Sequence, residues 1–143
     1  MINLKWYDDI NKAIFALRTE VYLEEQQIAY KDEFEGDEDA FLHLCMYDDD
    51  NLIAYARLNI ENNMLRVDRV AVKKEYRKLG FGRKLMLLSE KYAIEQNNTS
   101  IELNAQIQAR DFYYKLGYIE KGEVFIEANI PHIKMIKKLL SEN

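Results

Sequence analysis

The stretch Val70-Ala71-Val72-Lys73-Lys74-Glu75-Tyr76-Arg77-Lys78-Leu79-Gly80-Phe81-Gly82-Arg83-Lys84-Leu85 constrains this chain more than any other part of it. It opens on valines that suit a strand and turns at two glycines. Phe81, Leu85, Leu88 and Tyr92 then recur at +4, +3, +4, the spacing of one helical face. A helix N-terminus carries free N–H groups and partial positive charge, so it holds anions. Glycines let the backbone approach an anion without a Cβ in the way. Arg77, Lys78, Arg83 and Lys84 add cationic charge at the same point. Two phosphate motifs are excluded. A dinucleotide fingerprint needs a third glycine where Leu85 stands, and a Walker loop needs Gly-Lys-Ser/Thr. A phosphate-bearing ligand and a plain strand-to-helix turn both remain open on these residues alone.

The flanking pattern predicts a mixed α/β (α+β) fold. Ile2, Leu4 and Trp6 alternate as a first strand. Asp8 or Asp9 can cap a helix carrying Ile10, Ile14, Leu17 and Val21, which frays near Gln26. Residues 28–39 form an acidic loop with room for one helical turn. Phe41–Tyr47 and Leu52–Ile60 read as strands joined by a turn at Asp48-Asp49-Asp50-Asn51, and Met64–Val72 as the next. After the glycine turn and its helix, Ser100–Leu103 reads as a strand and Ile107–Leu116 as a helix stopped by Gly117. Tyr118–Ile119, Val124–Ala128 and His132–Ile136 are the last strands, with Pro131 in a turn. The order gives an antiparallel meander and one helix crossing between neighbouring strands. With no repeat and no linker, residues 1–143 read as a single domain.

Charge narrows the partners. The net charge is −5, which argues against general nucleic-acid binding, since that needs many cationic phosphate contacts. From Glu20 to Asp50 there are 12 acids and one base, whereas from Arg66 to Lys84 there are eight bases and two acids. The basic segment suits a phosphate-bearing ligand and the acidic one a cationic second ligand. The lone cysteine, Cys45, allows no intrachain disulfide. The N-terminus has no signal-peptide pattern, and no apolar run is long enough to span a membrane. The expectation is a soluble, cytoplasmic protein, monomer or homodimer, with no membrane or nucleic-acid partner.

Arg77-x-x-Gly80-x-Gly82, placed after Val70-Ala71-Val72 and before an amphipathic helix, resembles the acyl-CoA signature of the GNAT acetyltransferase superfamily. Ala109-Arg110-Asp111-Phe112-Tyr113-Tyr114-Lys115-Leu116-Gly117-Tyr118 resembles that family's penultimate helix. Val21-Tyr22-x-x-Glu25-Gln26, Ala54-Tyr55-Ala56-Arg57, Leu103-Asn104-Ala105-Gln106 and Ile130-Pro131-His132-Ile133-x-Met135 look like its ElaA-type branch, and Arg18 matches a branch arginine. The resemblance spans nearly the whole chain. It implies a mostly antiparallel, twisted sheet of six to seven strands flanked by helices, with the central strands splayed around a CoA arm. It implies transfer of acetyl from acetyl-CoA directly to an amine. Main-chain groups of Val70, Ala71 and Val72 would hold the pantetheine. Backbone N–H groups from Lys78 through Leu79, Gly80, Phe81 and Gly82 would hold the pyrophosphate, with Arg77 helping and Asn104 facing the cleft. Tyr113 would supply a proton to the leaving thiolate, with Tyr114 its competitor for register.

The remaining roles stay open at this level. Asp68, two residues before Val70, can act as a base or sit in an ion pair with Arg66 or Arg69. Glu25, Glu33 and His43 are other candidates, and an amine deprotonated by bulk water needs no base. His43 and Arg57 are candidate acceptor contacts. His43 and Cys45 share a strand face at i, i+2, but an acetyl-cysteine is not expected. No metal is expected, because two histidines and one cysteine lack ligand spacing. The alternatives to transfer are an acyl-CoA-binding regulatory module with little turnover and an interaction protein using the turn only structurally.

Overall fold

In the computed structural model, which describes residues 1–139, one seven-stranded sheet organises the chain. Its strands are β1 (Ile2–Tyr7), β2 (Leu42–Asp48), β3 (Asn51–Glu61), β4 (Met64–Val72), β5 (Ser100–Gln106), β6 (Ile119–Glu127) and β7 (Ile130–Lys138), ordered 1-2-3-4-5-7-6. Every neighbouring pair is antiparallel except β4 and β5. Parallel neighbours need a long crossover, and the helix α3 (Phe81–Glu95) supplies it. The other helices are α1 (Lys12–Arg18), continued by a π-helical stretch Thr19–Glu25, then α2 (Tyr30–Glu33) and α4 (Arg110–Lys115). No helix among the described residues is long and apolar enough to cross a membrane.

Period-two alternation sorts the core into two layers. Leu44 and Met46 of β2 pack with Leu85, Met86 and Ala93 of α3. Cys45 and Tyr47 join Ile14, Leu17 and Val21 from the first helical segment. Ile14, Leu44, Leu85 and Ile101 are fully buried, each worth about 1.5–3 kcal/mol of transfer free energy.

Three local expectations are corrected. The first helix is capped by Asn11, whose Oδ1 accepts from the Ile14 amide at 2.9 Å, rather than by Asp8 or Asp9. Tyr118–Ile119 and Val124–Ala128 are not separate strands: β6 is continuous across Lys121–Phe125 through a bulge that uses Gly122 at φ +85°. Pro131 lies in β7, opposite Ile126, not in a turn. At the start of a strand its missing N–H disrupts the ladder little.

Candidate active site

Two breaks in regularity open the sheet. The register between β3 and β4 slips between Ala56 and Arg57, leaving Arg69 as the extra residue, in the left-handed region at φ +62°. That bulge bends β4. Its pairing with β5 covers Met64–Val67 against Ser100–Leu103 and stops there, although both strands continue. Beyond Val67 and Leu103 the two strands part. The gap is a cavity of about 750 Å³ whose walls include Asp68, Val70, Asn104, Gln106 and Tyr113.

Within a strand, successive residues aim their main-chain polar groups at opposite edges. The Lys73 amide donates to Ile53 O of β3 at 2.8 Å, so Val72 and Val70 aim theirs at the cleft. Two contacts agree with this. The Tyr22 hydroxyl donates to Val70 O at 2.9 Å, and Arg77 Nε donates to Val72 O at 2.8 Å. Ala71 does the opposite. Its main chain serves β3, and its side chain is buried with Tyr22, Cys45 and Tyr55, so it offers the cleft nothing.

The glycine turn sits at the end of β4. Lys78 (φ +63°) and Gly80 (φ +88°) are both left-handed, and Gly80 is the N-cap of α3 with no side-chain cap. None of the amides from Lys78 to Arg83 makes a turn or capping hydrogen bond to another described residue. A Cβ on Gly80 would meet nothing within 4 Å, so the space before the helix is open. Gly82 is a glycine for a different reason: a Cβ there would lie 3.3 Å from Phe112 Cζ, so its absence lets α3 start against α4. The Phe81 side chain turns inward to the core and meets Tyr76 edge-on at 6.0 Å, whereas Leu79 is exposed. Arg77 is not free for an anion. Its guanidinium is held by both carboxylate oxygens of Glu25, at 2.7 and 3.0 Å. It acts as a brace between Val72 and the end of the π-helical stretch.

Tyr113 lies on the cavity wall, nearly buried. Burial alone pushes its hydroxyl above the ordinary phenol value, and no hydrogen-bonding neighbour among the described residues contributes. Tyr114 is exposed and does not line the cavity, so the register favours Tyr113. Asn104 also faces the cavity, with a buried Oδ1 that lacks a partner.

Several sequence candidates have gone elsewhere, into a closed ring of six alternating charges. Arg18 meets Glu33 at 2.6 Å, Glu33 meets Arg69 at 2.7 Å, and Arg69 meets Asp68 at 2.6 Å. Asp68 meets Arg57, Arg57 meets Glu38 at 3.1 Å, and Glu38 returns to Arg18 at 2.8 Å. The ring ties the acidic loop to α1 and to the β4 bulge. Asp68 is thus paired with Arg57 and Arg69; Arg66 pairs with Glu102 instead. Burial would raise the Asp68 carboxyl, but Arg69, Arg57 and Arg66 outweigh it and hold it below the ordinary carboxylate value. That makes Asp68 a weak base. Arg57 is buried against the Phe41 ring, 4.0 Å from its centroid, and is absent from the cavity wall. It is a ring member, not an acceptor contact.

His43 is also corrected. It is fully buried, with Nδ1 on the Tyr55 hydroxyl and Nε2 on Glu38 O at 2.7 Å. Desolvation depresses its proton affinity. Both nitrogens are in use, so it is neither an acceptor contact nor a base. Its neighbour Cys45 is equally enclosed, and burial pushes the thiol up to about 12. A thiol-alkylating reagent is expected to leave the native protein unmodified and to label Cys45 only after unfolding. Rapid labelling of the folded protein would contradict this placement.

Two pairs of cavity residues carry no site role in the sequence reading. Gln106 donates to Gln26 Oε1 at 2.7 Å, strapping β5 to the end of the first helical segment across the cavity. His132 and Glu127, from β7 and β6, stand on the cavity wall with Nε2 and Oε2 3.8 Å apart. His132 stands in the branch-like run Ile130–Met135, but only the hairpin register brings it to Glu127.

Comparison with known proteins agrees with this geometry. Residues 16–139 match the family model described as an acetyltransferase (GNAT) domain. The chain is 32% identical to the uncharacterized N-acetyltransferase YjcF of Bacillus subtilis, over 88% of this chain and 91% of that protein. It is 31% identical to ElaA of Escherichia coli, over 90% of this chain and 87% of ElaA. Among solved structures, an acyl-CoA N-acyltransferase from Pseudomonas aeruginosa superposes with a TM-score of 0.84 at 28% identity, covering 96% of this chain and 99% of that one. An aminoglycoside 6'-N-acetyltransferase complexed with coenzyme A shares the fold, with a TM-score of 0.78 at 18% identity, covering 99% of each chain. A cleft between parting strands, an uncapped glycine turn at its edge and a family model spanning most of the sequence converge: this chain belongs to the GNAT acetyltransferases, on their ElaA-like branch.

Proposed function

We propose that the protein transfers the acetyl group of acetyl-CoA directly to a primary amine on a small molecule or peptide. The observation that carries this reading is the uncapped start of α3, with its unbonded amides, at the edge of the β4–β5 gap. A diphosphate at those amides meets free donors and the helix dipole together. The pantetheine arm would run into the gap along the main chains of Val70 and Val72. A fold relative that binds coenzyme A supports this reading.

The chemistry then follows from the cavity. The amine nitrogen attacks the thioester carbon, and the carbonyl electrons move onto oxygen. The Val70 N–H, aimed at the cleft, would donate to that oxyanion. Collapse expels the CoA thiolate, whose conjugate thiol titrates near ~8.5 by analogy with cysteine. Tyr113, with its raised proton affinity, stays protonated and donates a hydrogen bond to that sulfur. Full proton transfer from such a phenol to a thiolate is uphill, so the thiolate's proton derives in the end from the attacking amine. Asp32 and Glu35 on the cavity rim favour a cationic acceptor.

Gly80→Ala tests the anchor. Holding a non-glycine residue left-handed costs about 1–2 kcal/mol, so the loop should relax and CoA affinity should fall about tenfold. Isothermal titration with CoA reads this directly, and unchanged affinity would contradict the role of the turn. Thiol release from acetyl-CoA with a pooled amine library tests transfer itself. Saturable CoA binding with no release for any amine would overturn transfer in favour of a binding module.

A further inference from the structure

We propose that His132 is the general base on the acceptor side of the cavity, an assignment that rests on the transfer reading above. Its Nδ1 lies 2.7 Å from Ile130 O. A carbonyl oxygen can only accept, so Nδ1 carries the hydrogen. A neutral imidazole has one N–H, which leaves the lone pair on Nε2. Phe125 stacks on the ring at 5.8 Å between centroids and 23° between planes, fixing its orientation. The side chain is only 9% exposed, yet it lines the same cavity as Tyr113. Glu127 Oε2, 3.8 Å from Nε2, is too far for a hydrogen bond but close enough to stabilise an imidazolium once it forms.

The bases named from the sequence are otherwise committed. Asp68 and Glu33 are ring members, each bonded to two arginines, and His43 has both nitrogens engaged. Glu25 is held by Arg77.

The step balances as follows. An acceptor ammonium gives one proton to Nε2, and the neutral amine attacks the thioester carbon. The C–S bond breaks as the tetrahedral adduct collapses. The second nitrogen-bound proton goes to the thiolate, and the imidazolium returns its proton to water. The products are the amide, CoA thiol and one proton.

Two measurements test this. Long-range proton–nitrogen correlation spectra of the wild-type protein read the tautomer of His132, one of two histidines in the chain. The expected result is a protonated Nδ1 and a bare Nε2; the reverse tautomer overturns the proposal. Thiol release then compares His132→Asn with wild type, since an asparagine amide can still donate to Ile130 O. One acceptor is an alkylamine selected from a primary-amine library, and the other is the hydrazide of matching skeleton, which is already neutral at the assay pH. The variant should lose about a hundredfold in kcat/KM with the alkylamine and less than about fivefold with the hydrazide. Equal losses with both would mark a structural role and overturn the base while leaving transfer intact. No release by the wild-type protein with any amine would overturn the transfer reading and the base with it.

Discussion

Arg18→Ala is expected to destabilise the protein by about 3–5 kcal/mol, the cost of leaving buried carboxylates without their partner. Arg18 is fully buried and is the only ring member on α1. Its removal leaves Glu33, 1% exposed, with only Arg69, and Glu38 with only Arg57. The Glu33 side chain is 1% exposed and that of Glu38 11%. The hydrogen bond from Arg18 to the Glu33 main-chain oxygen at 2.8 Å is lost as well, as is guanidinium packing 4.7 Å from the Phe34 ring centroid. For a chain of this size the melting temperature should fall by roughly 10 °C. Chemical denaturation checks the free energy. A loss under about 1 kcal/mol would mean that the ring behaves like a set of surface ion pairs. The double variant Arg18→Met with Glu33→Leu should recover part of the loss, because a buried pair replaced by apolar groups of similar size is often nearly neutral.

Tyr113→Phe is expected to lower kcat about a hundredfold while CoA affinity changes less than about twofold. The hydroxyl touches no described residue that holds it, so its loss leaves no partner stranded, and the ring still packs against Phe112 and Tyr118 at 4.9 and 5.8 Å. Stability should therefore stay the same or rise slightly. That combination separates catalysis from packing. Tyr114→Phe, altering an exposed side chain, should leave turnover near wild type. If Tyr113→Phe turned over at the wild-type rate, the thiolate would need another donor.

The parts of this design that were legible in the sequence are those written in local patterns. Met64–Val72 was read with its observed bounds, and the parallel crossover followed from a strand, a glycine turn and a helix in that order. Gly117, at φ +96°, ends α4 as its position suggested. The face of α3 was read only in part. Phe81, Leu88 and Tyr92 are partly buried, while Ser89 and Glu90 are among the buried positions. Ser89 donates to Leu85 O at 2.8 Å, and Glu90 accepts from Tyr118 and Lys137, both at 2.9 Å. Polar residues with partners are invisible to an apolar count. The site was harder for the same reason. Asp68, Arg57 and Arg69 sit on strands as any cleft residues would, and nothing local says that Arg18 and Glu33, 15 residues apart in sequence, close a ring with them. The acidic segment from Glu20 to Asp50 reads as suited to a cationic second ligand. In the fold it is divided, with Glu33 and Glu38 buried in ion pairs and Asp32 and Glu35 left on the cavity rim.

The central claim is that free amides at the start of α3 grip the CoA diphosphate beside the gap between β4 and β5. A crystal structure of the protein with CoA tests it most directly. The expected result is the diphosphate within hydrogen-bonding distance of main-chain nitrogens between Lys78 and Arg83, with the pantetheine between Val70 and Asn104. CoA bound anywhere else, with those nitrogens facing bulk water, would contradict it.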